Sequence, residues 1–92
     1  MTRNEKKEDE IKKMRNILAK NIKKRRKEIH LTQEELAEKS QISYDFMRRI
    51  EMSNGECGFS VYTFVSLANA LEISLDDLIS EGTPIKENVV QK

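Results

Sequence analysis

Between Arg3 and Ile29 the chain has neither Gly nor Pro, and Ile11, Leu18, Ile22 and Ile29 recur at spacings of seven, four and seven. That is the period of one apolar helix face, so the pattern predicts a single long first helix. Glu8 with Lys12 and Asp9 with Lys13 stand at i, i+4 in the favourable order and support its charged start. Thr32 with Glu35 forms a capping box, and Leu36 and Ala37 follow as the inward side of a short second helix reaching about Lys39 or Ser40. Ser43 is the next N-cap, with Asp45 in the first turn where a carboxylate complements the helix dipole; the third helix runs from Tyr44 to about Met52. "SNGECGF" then breaks the chain at Asn54-Gly55 and Gly58. Ser60 caps "VYTFVSLANALE", in which Val61, Phe64, Leu67, Ala68 and Leu71 keep a helical period. Ser74 with Asp77 opens "LDDLI", closed by Gly82 and Pro84. The expected fold is all-α: five helices, the first extended.

Length changes little in that picture. A chain of 92 residues supports one core, because domains of this size bury only roughly two thirds of their unfolded surface. The apolar periods divide it into an N-terminal helical extension or arm (1–13), a helical domain (14–81) and a flexible C-terminal tail (82–92). No apolar run approaches the ~18 residues of a membrane span, and "MTRNEKKEDE" lacks an apolar leader, so the chain reads as cytoplasmic, with no membrane partner. The single Cys57 can form no internal disulfide and has no Cys or His neighbour at metal-ligand spacing. No metal or cofactor is implied.

Charge changes the picture more. Residues 1–30 hold twelve Lys and Arg against five Asp and Glu, whereas residues 31–92 hold five against eleven. A basic end suggests an anionic partner, and "RNILAKNIKKRRK" (15–27) has seven cations and no acid. Alone, such a run is as readily a solvated helix face. The third helix breaks the tie. At about 100° per residue, Tyr44, Asp45, Arg48 and Arg49 fall within an arc of roughly 140°, and Phe46, Met47 and Ile50 take the opposite side. Phe46, Met47, Phe64 and Leu67 are core by period. The outer side offers two guanidinium forks, a phenol and a carboxylate, groups suited to base edges and phosphates. Thr32 and Gln33 open the preceding helix, where hydroxyl, amide and helix-end N–H groups suit a phosphate. Two short helices about four residues apart, the second polar outside, form a helix-turn-helix arrangement.

From Leu18 through "SLDDLI", roughly two thirds of the chain, the sequence resembles the Cro-type, lambda-repressor-like helix-turn-helix family of xenobiotic-response-element-type transcriptional regulators. "LTQEELAEKSQIS", "RRIE" and "SLANALEISLDDLI" carry the likeness. The resemblance implies a five-helix lambda-repressor-like DNA-binding domain, usually a homodimer on double-stranded operator DNA, with helix three in the major groove. The family's base-contacting positions fall on Gln33, Tyr44, Asp45 and Arg49, with Ser43 and Arg48 beside them. Its helix-one arginine and helix-three glutamate fall on Arg26 and Glu51, a structural ion pair. Phosphate contacts are expected from Thr32, Lys23, Lys24, Arg25, Lys27 and Asn54. Relatives often carry Gly where this chain has His30, Gln41 and Glu72, because left-handed backbone suits Gly; these sites either hold that geometry without Gly or turn differently. The loop after helix three, often basic in relatives, holds Glu56.

Other side chains add few alternatives. No Ser-His-Asp or Cys-His arrangement, Gly-rich phosphate loop or catalytic acid pair is present in the sequence, so enzyme activity is not expected. Asp45 also serves its own helix start, and His30 reads as a turn residue ending helix one, with a pH sensor as the alternative. Ile11 and Met14 carry the apolar stripe beyond what a compact five-helix unit covers, so they either dock on a second subunit or belong to a frayed extension. The tail, with Ile85, Val89 and Val90, is either disordered or a dimer-closing strand. The expected function is a sequence-specific regulator, a repressor. Two alternatives use the same fold: an antitoxin that also binds a toxin, and a module that binds a protein partner, such as an antirepressor, without touching DNA.

Overall fold

A computed structural model describes residues 3–52 and 55–81, with side chains from Lys7 onward. Among these residues it is all-helical: α1 (Arg3–Glu28), α2 (Gln33–Ser40), α3 (Tyr44–Met52), α4 (Val61–Leu71) and α5 (Leu75–Leu78). α1 runs unbroken through the expected boundary of arm and domain and ends one residue before Ile29. α5 is a single turn, and Gly82 and Pro84, expected to close it, lie outside the described residues.

Polar groups at the predicted positions start the helices. Thr32 Oγ1 accepts from Glu35 N–H at 3.0 Å while Thr32 N–H donates to Glu35 Oε1 at 2.8 Å, a complete capping box. Ser43, Ser60 and Ser74 each accept from the N–H three residues on, opening α3, α4 and α5.

The helices end by one repeated device. His30, Gln41 and Glu72 have φ of 63°, 61° and 57°, the left-handed region that Gly would occupy without steric cost. After each, the next N–H reaches back to the carbonyl five residues before it: Leu31 to Arg26, Ile42 to Ala37 and Ile73 to Ala68, at 3.0 to 3.1 Å. These are Schellman closures, and their following apolar residues, Leu31, Ile42 and Ile73, pack against the core. The chain keeps the turns that Gly favours in relatives and builds them from exposed polar residues.

The core lies where α2 packs on α3 and α4, and where α1 crosses α3, α4 and α5. Leu18, Ile22, Leu36, Met47, Ile50, Leu67, Leu71 and Leu78 are buried in it. Each contributes roughly 1.5–3 kcal/mol by leaving water. Periodicity overstates the core at its edges. Met47 and Leu67 are fully buried, but Phe46 and Phe64 are half-buried, and Val61 at the first position of α4 is 76% exposed. Val61 opens α4 on the wall of a groove between the outer half of α1, the start of α4 and the end of α5, and no side chain closes over it. Ile11 likewise continues the α1 stripe past the core and stays exposed.

Polar residues inside the α1 stripe tie it to other helix ends. Asn21 Nδ2 donates to the carbonyls of Leu78 and Ser80 at 2.7 and 2.8 Å. Arg25 donates from Nε to Leu71 O at 2.9 Å and from Nη2 to Glu72 O at 3.1 Å. A cation at the carbonyl end of α4 meets both its unsatisfied acceptors and its dipole.

Candidate nucleic-acid interface

α3 is held from beneath and presented outward. Met47 and Ile50 are buried, and Glu51, one residue on, is buried with them. Its carboxylate accepts from Arg26 Nε at 2.7 Å and Nη2 at 3.0 Å, a bidentate pair with the Glu51 side chain only 1% exposed. The third Arg26 nitrogen donates to Leu31 O at 2.8 Å, so one guanidinium joins the end of α1 to α3. Glu51 Oε1 also accepts from Gln33 Nε2 at 3.0 Å. Arg26, Glu51 and Gln33 thus form a chain of charge-assisted hydrogen bonds that fixes α2 against α3.

The opposite side of α3 is open. Tyr44, Asp45, Arg48 and Arg49 are all exposed. Asp45 Oδ2 lies 3.4 Å from Arg49 Nε and Asp45 Oδ1 lies 3.6 Å from Arg48 Nη1. The Arg48 guanidinium stands 5.8 Å over the Tyr44 ring, and Arg49 stands 5.8 Å over Phe46. These separations exceed the 2.7–2.9 Å typical of short charge-assisted bonds, and exposed pairs of this kind contribute only about 0–1 kcal/mol. Both guanidinium groups are therefore pre-oriented by Asp45 yet readily surrendered to a stronger anion.

Around this face the expected contacts separate. Ser43 Oγ already accepts from Phe46 N–H at 3.0 Å, which leaves its hydroxyl hydrogen to donate. The capping box at Thr32 leaves the N–H groups of Gln33 and Glu34 as first-turn donors of α2 that it does not use. Gln33 keeps its amide oxygen and one N–H beyond the Glu51 contact. On α1, Arg26 marks the side facing α3. At about 100° per residue, Lys23 lies roughly 60° from it and Lys27 roughly 100°, whereas Lys24 lies roughly 160° away. Lys23, Lys24 and Lys27 are all exposed. Arg25, expected among the phosphate contacts, is drawn to α4, away from α3, and donates to Leu71 O, Glu72 O and Glu28 Oε1. Asn54 lies outside the described residues.

Sequence reasoning missed the clamps made by Asn21 and Arg25. The signal was there: both sit beside Leu18 and Ile22 on the inward side of α1, and a polar residue there needs a buried partner. Also missed was the contact between the α3–α4 loop and α1. Lys12 Nζ pairs with Glu56 Oε2 at 2.9 Å. Through hydrogen bond and charge, the pair raises the Lys12 pKa and lowers that of Glu56. A Cβ on Gly55, whose φ is 92°, would overlap the Lys12 carbonyl, and one on Gly58 would lie 2.6 Å from Arg15 Nη2. The two glycines let this loop lie directly on α1.

The family model for helix-turn-helix proteins matches residues 22–78, more than half of the chain. The chain belongs to that family, of the lambda-repressor and Cro-like kind, and is a DNA-binding helix-turn-helix regulator. No curated protein and no solved structure shows a significant match. The family is regulatory and typically non-enzymatic. Among the described residues no helix is long and apolar enough to cross a membrane, and no cluster of His, Cys, Asp and Glu is placed to hold a metal ion.

Proposed function

We propose that the chain is a sequence-specific transcriptional repressor that reads double-stranded DNA with α3. One observation carries the reading: Tyr44, Asp45, Arg48 and Arg49 share the open side of a helix whose other side is locked by buried Met47, Ile50 and the Glu51–Arg26 pair. A rigidly seated helix with forked donors outward is what base-edge recognition requires.

In this reading Arg48 and Arg49 leave Asp45 for guanine O6 and N7, or for backbone phosphate, as the helix enters the major groove. Asp45, relieved of its partners, accepts from a cytosine amine. Gln33, held at one N–H by Glu51, offers the remainder of its amide to a base edge, and Tyr44 and Ser43 reach the flanking bases or sugar. Thr32 and the first-turn N–H groups of α2 hold a phosphate, and Lys23 and Lys27 add sequence-independent attraction, with Lys24 more peripheral. Two copies would place their α3 helices in successive major grooves roughly 34 Å apart. Repression then follows from occupancy, since a seated helix excludes other proteins from the same groove.

Selection from a random duplex library, followed by affinity measurement across salt, tests the reading. The expected result is a two-fold-symmetric motif bound with affinity that falls steeply as salt rises. Arg49→Ala should then cost about 1–3 kcal/mol on the selected site and relax base choice. A well-folded protein that enriches no motif would remove α3 from a reading role.

A further inference from the structure

Among the described residues, two of the eight exposed large apolar side chains, Tyr44 and Met52, belong to α3. The other six lie elsewhere: Ile11 and Met14 on α1, Val61 and Tyr62 at the start of α4, and Leu75 and Ile79 on and just after α5, at 41 to 76% exposure. Ile11, Met14, Val61 and Ile79, with Phe59 and Phe64, line a groove of about 440 Å³ between the outer half of α1, the start of α4 and the end of α5. Apolar side chains gathered in one exposed place and rimmed by charged ones suit an interaction site.

We propose that this groove is where two copies of the chain meet. The inference rests on the dimeric reading above and names its surface. A two-fold contact sets a patch against itself, so the patch must carry both a recess and something to fill it. Both are present: Val61, the most exposed of the six, stands on the wall of the recess.

Charge points the same way. The rim carries both signs, with Lys7 and Arg15 beside Glu10. A mixed rim lets a second copy find opposite charge, whereas a rim of one sign would repel its own copy. The apolar floor and Glu10 do not suit a nucleic acid. The groove is also preformed. Gly55 and Gly58 bring the α3–α4 loop against Lys12 and Arg15, and the Lys12–Glu56 pair closes the contact. This seats the α3–α4 loop on the outer half of α1, which forms one wall of the groove. None of the groove-lining residues belongs to α3, so both copies keep their reading helices open.

The test is sedimentation of the full chain over a range of micromolar concentrations, for wild type, Met14→Glu and Val61→Glu. Both substituted side chains are exposed, and a thermal melt followed by circular dichroism checks that each variant stays folded. A dimer is expected for wild type. A carboxylate forced into the apolar contact should cost roughly tenfold per copy, and a two-fold interface carries two copies, so the dissociation constant should rise about 100-fold. Lys20→Glu, about 180° around α1 from Ile11, should leave it unchanged. A wild-type monomer at every concentration would overturn the proposal, with residues 82–92 of the same chain or another protein as the occupant. A dimer untouched by both groove variants would overturn it as well. Duplex selection on the same samples separates this from the DNA reading. A dimer broken by both variants in a protein that selects no duplex supports the interface and sinks the reading; a selected duplex bound by a dimer that ignores both variants does the reverse.

Discussion

The Arg26–Glu51 pair offers the sharpest test of how α3 is held. Arg26→Met keeps the aliphatic stem and removes the guanidinium. Glu51, with its side chain 1% exposed, then loses the bonds at 2.7 and 3.0 Å and retains only Gln33 Nε2 at 3.0 Å. Leaving a buried carboxylate without its cation costs about 3–5 kcal/mol. The Leu31 carbonyl loses the Nη1 donor at 2.8 Å as well, which adds about 1 kcal/mol. A domain of this length holds only about 5–14 kcal/mol in total, so the variant should sit near the edge of folding. Arg26→Met with Glu51→Met removes both charges into apolar surroundings and should recover most of that loss. Urea unfolding followed by the helical circular-dichroism signal, run as a double-mutant cycle, measures the difference. If the single variant lost less than about 1 kcal/mol, or the double lost as much as both singles combined, the pair would be solvated and the strut argument would fail. The double variant should still bind duplex DNA less selectively than wild type, because Gln33 loses the carboxylate that orients it.

Replacing His30, Gln41 or Glu72 by Gly should stabilise the fold by about 0.5–1 kcal/mol each: the left-handed cost of roughly 1–2 kcal/mol is relieved, and the greater freedom of Gly in the unfolded chain takes back 0.4–1. A lower urea midpoint in all three would refute that account of the turns. Gly55→Ala should destabilise by about 1–3 kcal/mol, because φ of 92° and the Lys12 carbonyl both exclude a methyl group; faster amide exchange across residues 55–59 reports it. The Lys12–Glu56 pair makes the attachment of this loop pH-dependent. Glu56 titrates low, so its contribution is complete above the ordinary carboxylate range and is lost as pH falls through its depressed value; Lys12 titrates high, so its contribution is lost only as pH rises past the ordinary lysine range. In Lys12→Gln the Glu56 carboxyl, followed by NMR, should titrate upward toward ordinary glutamate. Lys23→Ala should lower affinity for all duplexes similarly and reduce the salt slope by about one, with a smaller effect from Lys24→Ala; the reverse order would show that α1 meets DNA on its other side.

The helices and their starts were legible because their causes are local. Thr32, Ser43, Ser60 and Ser74 cap N–H groups three residues on, and a hydroxyl at that spacing needs no distant partner. The two-sidedness of α3 was legible for the same reason, since helical period alone separates Arg48 and Arg49 from Met47 and Ile50. Its depth was not. Phe46, Phe64 and Val61 share the period of true core residues, yet how far each is buried depends on where the neighbouring helices end.

The likeness to relatives marked three turns as uncertain, because sequence shows a preference for Gly but not the force that holds a turn without it. The structure supplies that force: Leu31, Ile42 and Ile73 are pulled onto the core, and each drags the preceding residue into left-handed backbone. The duties of the basic run were decided in the same way. Arg25 and Arg26 are identical neighbours in a string of cations, but a step of about 100° sends one to the carbonyl end of α4 and the other to a buried carboxylate. Periodicity and capping therefore determined the five helices, the open side of α3 and the basic character of α1. Only tertiary packing decided which cations stay exposed and which are used to hold the fold, because that depends on partners 25 and 46 residues away in sequence.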